Sequence, residues 1–211
     1  MHAETLLDIA MMHADSLIEN AQQGDERSLN RLVSLWYKRI YNYSFKYVSE
    51  HDLAAEIAQK TFISMFRNVR KLKDPDSFKP WLYRIATNLC HEEARKQKRN
   101  KTISYSGEDA DKTEQVVMHV QDSKERFYDP ERSYQQKELE KALLEAMSEI
   151  SEEHRSVVIM KEYEGFKFRE IAEVIGVSEN TVKTRLYAGL KNLKEILKKN
   201  NITRETVHYE L

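Results

Sequence analysis

The sequence is poor in residues that break helices and in the residue that cross-links chains, with five glycines, three prolines and one cysteine among 211 residues. A single cysteine excludes an intramolecular disulfide and a zinc site made of several cysteines. Few glycines and prolines, combined with 33% charged residues, predict an all-α protein. No apolar run is long enough to span a bilayer and the N-terminus lacks an export signal, so we expect a cytoplasmic protein without membrane insertion.

Motifs for catalysis or cofactor binding are also missing. The sequence has no glycine-rich phosphate loop. His91, Glu92 and Glu93 are only superficially like a zinc motif, because Arg95 stands where the second helical histidine would be. The lone Cys90 is expected to pack near the core and not to act as a nucleophile. We therefore expect no metal, no cofactor and no enzymatic activity from this chain alone.

The formal net charge is only −1, but the charges are distributed unevenly. Residues 67–101 contain 11 lysines and arginines against 4 acids, and residues 178–199 contain 6 against 2. Between these blocks, residues 104–131 contain 8 acids against 3 bases. Two basic blocks that flank an acidic one are suited to binding a polyanion at two places.

The pattern of apolar residues divides the chain into two small helical domains. We expect an N-terminal extension (1–14), a helical bundle (15–100), an extended acidic linker (101–133), a second helical domain (134–200) and a C-terminal tail (201–211). Asp15 or Ser16 is expected to cap the first helix. A later helix should run from about residue 50 to 69, and KLKDPDSFKP should form a loop before a helix that starts at or just before Trp81.

The segment WLYRIATNLCHEEARKQKR (residues 81–99) has two unlike faces when it is wound as a helix. Its apolar face contains Leu82, Ile85, Ala86 and Leu89, its polar face contains Arg84, Thr87, Asn88, His91 and Arg95, and it continues into Lys96, Lys98, Arg99 and Lys101. A polar face with a basic end is suited to a nucleic-acid strand. A solvated amphipathic helix is the simpler alternative, and Trp81 is expected to be a core anchor more than a wedge between the bases of a nucleic acid.

The segment KFREIAEVIGVSENTVKTRLYAGLKNLKEIL (residues 167–197) predicts a helix-turn-helix. Ala172 permits close helix packing, Gly176 permits the turn and Ser178 can cap the second helix. On that helix the residues expected to pack inward are Val182, Leu186, Leu190, Leu193 and Leu197. Its candidate DNA contacts are Ser178, Asn180, Thr181, Lys183, Thr184, Arg185 and Tyr187. These side chains suit a major groove, although an ordinary helical hairpin remains the alternative.

The two halves together resemble one protein family. The segments AQQGDERSLNRLVSLWYKRIYNYSFKYV, DLAAEIAQKTFISMFRNV and FKPWLYRIATNLCHEEARK resemble region 2 of the extracytoplasmic-function (ECF) sigma factors of bacterial RNA polymerase, and residues 139–197 resemble their region 4. The pairing of WLYRIATN with ENTVKTRLYAGLKNL is the most specific part. The resemblance implies a factor that binds core RNA polymerase, directs it to promoter DNA and is masked by an anti-sigma factor.

The resemblance also implies three surfaces. The clamp coiled coil of core polymerase would be bound by Asp52, Glu56, Gln59 and Lys60, although the family usually has an acid where Lys60 stands. Unpaired bases of the minus-ten element would be bound by the loop of Lys73, Asp76 and Ser77 and by Asn88, whose amide offers both a donor and an acceptor. Phosphates of that strand would attract Arg84, Arg95, Lys96, Lys98 and Arg99. Minus-thirty-five readout falls to Lys183, Thr184, Arg185 and Tyr187, with Ala188 where a cation is often found.

Two other functions remain as alternatives. A free-standing helix-turn-helix regulator would bind duplex DNA tightly without polymerase and would not need Asn88. A helical adaptor protein would show no dependence on a promoter. The acidic linker would either lie in a positively charged path made for nucleic acid or serve as a solvated tether.

Overall fold

The computed structural model describes residues 14–103, 134–200 and 202, and these residues are helical apart from short connections. The α-helices are α1 (Ala14–Gln22), α2 (Glu26–Val48), α3 (His51–Asn68), α4 (Phe78–Ile103), α5 (Tyr134–Glu149), α6 (Glu152–Val158), α7 (Phe168–Ile175) and α8 (Glu179–Lys199). Two short 3₁₀ helices (Val69–Lys71 and Pro75–Ser77) lie between α3 and α4, and a π-helix (Ile159–Tyr163) follows α6. The predicted all-α class is confirmed for the described residues. We call residues 14–103 the N-terminal half and residues 134–202 the C-terminal half.

Some segment boundaries differ from those expected from the sequence. Helix α1 is described from Ala14 onward, so Asp15 and Ser16 lie inside the helix and neither is its cap. Helix α4 begins at Phe78, before Trp81, because Pro80 is tolerated in a first turn whose N–H groups have no intrahelical acceptor. The same helix includes residues 101–103, which were expected in the linker. The rest of the linker, the N-terminal extension before residue 14, and the tail apart from residue 202 lie outside the described residues.

The turn of the predicted helix-turn-helix is formed by the residues expected for it. Gly176 ends α7 in the left-handed conformation with φ 71°, and its N–H donates to the Ala172 carbonyl at 2.9 Å. Ser178 caps α8, since its hydroxyl oxygen accepts from the Thr181 N–H at 3.1 Å. A left-handed glycine followed by a serine cap reverses the chain within a few residues. Helix α8 therefore packs back against α7.

Aromatic side chains fill the core of the N-terminal half. Tyr43, Phe62 and Tyr83 are at most 2% exposed. Thr87 was expected on the polar face of α4, but it is 2% exposed and faces this core. Its hydroxyl donates to the Tyr83 carbonyl at 2.7 Å, so the Tyr43 hydroxyl, 2.8 Å away, must be the donor to Thr87. The hydroxyl groups in this buried chain of hydrogen bonds, those of Tyr43 and Thr87, both have a partner.

The direction of these two bonds predicts unequal effects of two substitutions. Tyr43→Phe removes one donor and leaves Thr87 bonded to Tyr83, so we expect a loss of about 1 kcal/mol in the free energy of unfolding. Thr87→Val leaves the Tyr43 hydroxyl without an acceptor in the core, so we expect a loss of about 2–3 kcal/mol. Urea denaturation of both variants measures the difference. Equal losses would contradict the assigned direction.

In the C-terminal half, α8 packs on α6 and α7 through Val182, Leu186, Gly189 and Leu193. A Cβ atom at Gly189 would lie 2.9 Å from Val158 Cγ2, so the lack of a side chain at Gly189 permits α8 to lie close to α6. This contact turns α8 so that Leu190, expected to pack inward, is 38% exposed. The inward prediction is wrong for Leu190 because Gly189 occupies the contact face one residue earlier.

Candidate nucleic-acid interface

Helix α4 presents Arg84, Asn88 and Arg95 on the side opposite its core contacts. All three are exposed, and their spacings of four and seven residues place them along one stripe. Beside them, His91 is half-buried, and one of its ring nitrogens lies 2.8 Å from the Ser156 hydroxyl. Burial lowers the pKa of His91, so its ring is neutral at physiological pH. The positive charge of this stripe therefore comes from its arginines.

The loop that precedes α4 is organised by Asp74, a residue that the sequence analysis did not single out. The Asp74 carboxylate accepts from the Asp76 N–H at 3.2 Å and from the Ser77 hydroxyl at 3.1 Å. The side chains of Lys73 and Asp76 are exposed, whereas Ser77 is half-buried. The loop thus presents Lys73 and Asp76 to solvent, and Asp74 holds its turn.

The basic side chains at the end of α4 are less available to bind a phosphate than the sequence indicated. The Lys96 ammonium lies 3.1 Å from Glu93 and 3.4 Å from Glu92, both on the same helix. A hydrogen bond to Glu93 raises the pKa of Lys96. Arg99 is exposed, and the side chain of Lys98 lies outside the described part of the chain. Lys96 therefore has to exchange two carboxylates for a phosphate before it can bind DNA.

The expected polymerase-binding face of α3 contains an internal ion pair. Lys60, which departs from the family pattern, lies 2.6 Å from Glu56 one turn earlier. Asp52 and Glu56 are exposed, and Gln59 is half-buried. Lys60 neutralises one of the two acids on this face, which leaves the Asp52 end as the more negative part.

Helix α8 exposes most of the side chains predicted to read DNA. Asn180, Lys183, Thr184 and Tyr187 are exposed, with Tyr187 at 68%. Two other candidates have local roles, because Ser178 accepts from the Thr181 N–H and its hydroxyl lies 2.9 Å from that of Thr181.

Arg185 was also predicted to read DNA, but it is held by an acid of α6. Its guanidinium lies 2.7 Å from the Glu153 carboxylate, and its side chain is 22% exposed. Glu153 lies in the first turn of α6. Arg185 is thus less available than Thr184 and Tyr187, which are exposed.

The two halves of the protein pack against each other through α4. The Tyr83 hydroxyl donates to the Glu164 carboxylate at 2.5 Å, and the Tyr83 and Phe166 rings meet edge to face at 4.7 Å. Lys79 lies 3.2 Å from Glu170. Arg84 donates to the backbone carbonyls of Glu173 and Val174, the latter at 3.2 Å. We call this set of contacts the inter-half interface.

Arg155 is a buried part of the same interface. Its guanidinium donates to the Tyr47 carbonyl at 2.9 Å and to the Ser148 and Ile150 carbonyls at 2.6 and 3.3 Å. Tyr47 lies in the last turn of α2, and Ser148 in that of α5, where the helix dipole is negative. Burial lowers the pKa of Arg155, and these helix ends supply the negative potential that favours its charged form.

A cleft of about 460 Å³ lies between the two halves. From α4 it is lined by Arg84, Asn88 and Arg95, and from the C-terminal half by Glu153, Arg185 and the turn at Gly176. Side chains predicted to bind the two promoter elements thus line one cavity.

Comparison with known proteins agrees with the two-part organisation. Residues 32–100 match the family model of sigma-70 region 2, and residues 140–193 match that of sigma-70 region 4. Together these matches cover more than half of the chain. The chain belongs to the sigma-70 family.

Its relatives place this sigma factor in the ECF group. As a member of that group, it directs RNA polymerase to promoters. It is 29% identical over 186 residues to the ECF RNA polymerase sigma-E factor of Haemophilus influenzae, covering 88% of this chain and 92% of that protein. It is 27% identical over 181 residues to the ECF RNA polymerase sigma factor SigW of Bacillus subtilis, covering 86% and 95%. The family consists of initiation factors and is not an enzyme family.

Two solved structures share the fold of the sigma factor. CnrH, in complex with the cytosolic domain of CnrY, has a TM-score of 0.63 at 17% identity, covering 88% of this chain and 97% of that chain. The sigma factor RpoE of Bartonella quintana, in complex with the anti-sigma factor NepR, has a TM-score of 0.56 at 20% identity, covering 80% and 96%.

In the described ranges, none of the helices is both long and apolar enough to cross a membrane. The same residues contain no cluster of histidine, cysteine and acidic side chains able to hold a metal ion. Cys90 is fully buried as predicted, and burial raises the pKa of its thiol to about 12.

Sequence reasoning missed Asp74, Glu153 and Arg155 in the sigma factor. Asp74 stands before a proline and is followed three residues later by Ser77, which is a turn signal that sequence could have given. Glu153 and Arg155 act on residues of other helices. No local spacing indicates such pairs.

Proposed function

We propose that this sigma factor binds core RNA polymerase through α3, reads the minus-thirty-five element with α8, and captures the opened minus-ten strand with α4 and the loop before it. The observation that carries this proposal is the exposure of polar side chains on two helices of separate halves, Asn88 on α4 and Tyr187 on α8. Core polymerase performs the chemistry, so the chain itself has no catalytic role. Since that polymerase works in the cytoplasm, we assign the sigma factor to the same compartment.

The role of α8 follows from its outer face. A helix that presents its N-terminal residues to a major groove reads bases with short polar side chains and binds phosphates with cations. Asn180 and Thr184 have the polar groups for base edges, and Lys183 has the charge for a phosphate. Tyr187 adds an aromatic ring at the far end of the same face. We assign the local capping role to Ser178 and Thr181, and base contacts to the exposed residues.

The role of α4 is to hold bases that have left the duplex. Taking a base out of the stack costs a few kcal/mol, and a fixed polar side chain that bonds the exposed base edge offsets part of that cost. Asn88 lies between Arg84 and Arg95 on one stripe. A base bonded to its amide would therefore have an arginine on each side to bind the phosphates of the nucleic-acid strand. Lys73 and Asp76 in the loop before α4 extend the same surface.

Run-off transcription with purified core polymerase and a promoter library tests the proposal. We expect specific transcripts only when core polymerase and sigma factor are both present, and weak promoter binding by the sigma factor alone. Tight, specific duplex binding without polymerase would indicate the free-standing regulator. Transcription that does not depend on promoter sequence would indicate an adaptor.

Lys183 is expected to act as a phosphate contact, with little sequence preference. Lys183→Ala should weaken promoter binding to a similar extent across sequences and lower the slope of log K against log salt by about 1. Fluorescence anisotropy of the holoenzyme on labelled promoter DNA at several salt concentrations measures both quantities. Lys141→Ala on α5 is the control, because it also removes an exposed lysine. An unchanged slope would show that Lys183 does not contact a phosphate.

A further inference from the structure

Helix α1 packs against the loop that is proposed to hold unpaired bases. We call residues 72–77, which contain Lys73 and Asp76, the minus-ten loop. The 3₁₀ helix Val69–Lys71 leads into this loop, and the 3₁₀ helix Pro75–Ser77 forms its second half. Helix α1 contacts both of them. The loop is therefore supported by a helix that contains none of the proposed DNA contacts.

Gln22, the last residue of α1, makes hydrogen bonds to the backbone at the start of this loop. Its side-chain amide donates to the Leu72 carbonyl at 2.6 Å and to the Val69 carbonyl at 3.4 Å. The Leu72 bond is the stronger of the two, because hydrogen bonds weaken at the longer distance. The Leu72 carbonyl belongs to the peptide group that joins Leu72 to Lys73. Gln22 thus fixes the point at which the chain leaves the 3₁₀ helix and enters the loop.

The turn that follows Gln22 is itself held in place. Asp25 caps α2, since its carboxylate accepts from the Ser28 N–H at 2.8 Å. A Cβ atom at Gly24 would lie 2.5 Å from the Arg70 guanidinium, so the lack of a side chain there lets Arg70 lie over the turn. A side chain that extends from a well-held backbone can fix the group that it bonds.

The other hydrogen bonds described for the loop are internal to it. The Asp74 carboxylate accepts from the Asp76 N–H and from the Ser77 hydroxyl. These bonds give the loop its shape, but they do not join it to another helix. The Gln22 amide does join it to another helix, so Asp74 and Gln22 have different roles.

We propose that Gln22 is a positioning residue for base capture. By fixing the Leu72 carbonyl, Gln22 holds the minus-ten loop in place before a base arrives. Lys73 and Asp76 then need less ordering when they bind a base that has left the stack. Gln22 itself does not contact DNA. This inference rests on the proposed function, since it takes the loop as part of the minus-ten surface.

The first experiment removes the donor at position 22 in the full-length chain. Gln22→Met keeps a similar length but cannot donate, so we expect promoter opening by the holoenzyme to slow by about 2- to 13-fold, which is the effect of one hydrogen bond. Initial binding to duplex DNA should not change. Fluorescence of a base analogue in the minus-ten element measures opening, and anisotropy measures initial binding. Circular dichroism identifies a temperature at which parent and variants are all folded, and the rates are compared there.

Gln23→Met is the matched control. Gln23 is the next residue, and its side chain is an exposed amide. This variant should open the promoter at the rate of the parent chain. If Gln22→Met also opens at the parent rate, the positioning role is wrong.

The second experiment separates positioning from a general effect on the fold. Lys73→Ala/Asp76→Ala removes the two side chains that the loop presents but keeps the Asp76 N–H that bonds Asp74. In this background Gln22→Met should slow opening no further, because no side chain is left to position. If Gln22→Met slows opening by the same factor in both backgrounds, Gln22 acts on the fold in general and the positioning role is overturned.

The Lys73→Ala/Asp76→Ala variant alone shows which idea has failed. We expect it to open the promoter more slowly than the parent chain. If it opens at the parent rate, the loop does not hold a base, and that part of the proposed function is lost together with this inference. If it is slow while Gln22→Met is not, only the positioning role of Gln22 is lost.

Discussion

Asn88→Ala is expected to slow promoter opening by about 5- to 150-fold while leaving the initial binding of the holoenzyme to duplex DNA unchanged. The physical reason is that Asn88 is proposed to meet a base only after that base leaves the stack. A lost bidentate amide–base contact costs about 1–3 kcal/mol, which corresponds to about 5- to 150-fold in rate. Fluorescence of a base analogue in the minus-ten element follows opening, and anisotropy on duplex DNA follows initial binding.

Asn30→Ala is the control for this measurement, because Asn30 is an exposed amide on α2, away from the α4 stripe. A pre-opened promoter bubble offers a second check. On that template the Asn88 variant should bind more weakly than the parent chain, since the captured base is already unstacked. Equal opening rates for parent and variant on duplex promoter DNA would rule out strand capture by Asn88.

Arg155→Met is expected to lower the free energy of unfolding by about 2–4 kcal/mol, since it leaves three carbonyls without their donor in a buried site. Methionine fills a similar length but cannot donate a hydrogen bond. Chemical denaturation followed by circular dichroism measures the loss. The expected effect is among the largest of any single substitution in this chain because Arg155 joins the ends of α2 and α5.

Arg169→Met is the matched control for Arg155. Its side chain is 82% exposed and pairs with Glu173 on its own helix, so we expect a change below about 0.5 kcal/mol. Arg155→Lys keeps the charge but has one donor group in place of a fork, so its loss should fall between the two. An Arg155→Met variant as stable as the parent chain would show that these helix ends do not need the guanidinium.

The sequence predicted features that depend on local spacing. The turn at Gly176, the cap at Ser178 and the exposure of Asn88 and Tyr187 follow from residue types and helical periodicity, and the structure agrees. The family resemblance implied which partners these faces would meet. Helical periodicity concerns residues within one or two helical turns of each other. The family resemblance concerns motifs that are recognised as a whole.

The sequence predictions failed where the result depends on contacts between residues that are far apart in the sequence. The polar face of α4 was correctly identified at Arg84, but Arg84 bonds to backbone carbonyls, which every residue possesses and which leave no trace in a sequence. Arg155 was missed for the same reason. Leu190 was misplaced because Gly189 lies against Val158, and only the packed helices reveal that approach.

The position of Cys90 determines which signals the sigma factor can receive directly. Oxidants and electrophiles react with the thiolate, and a fully buried thiol whose pKa is raised to about 12 forms almost none of it. Since this is the only thiol in the chain, oxidative stress has no cysteine through which to act on it. Direct modification of Cys90 in the folded sigma factor is therefore expected to be slow.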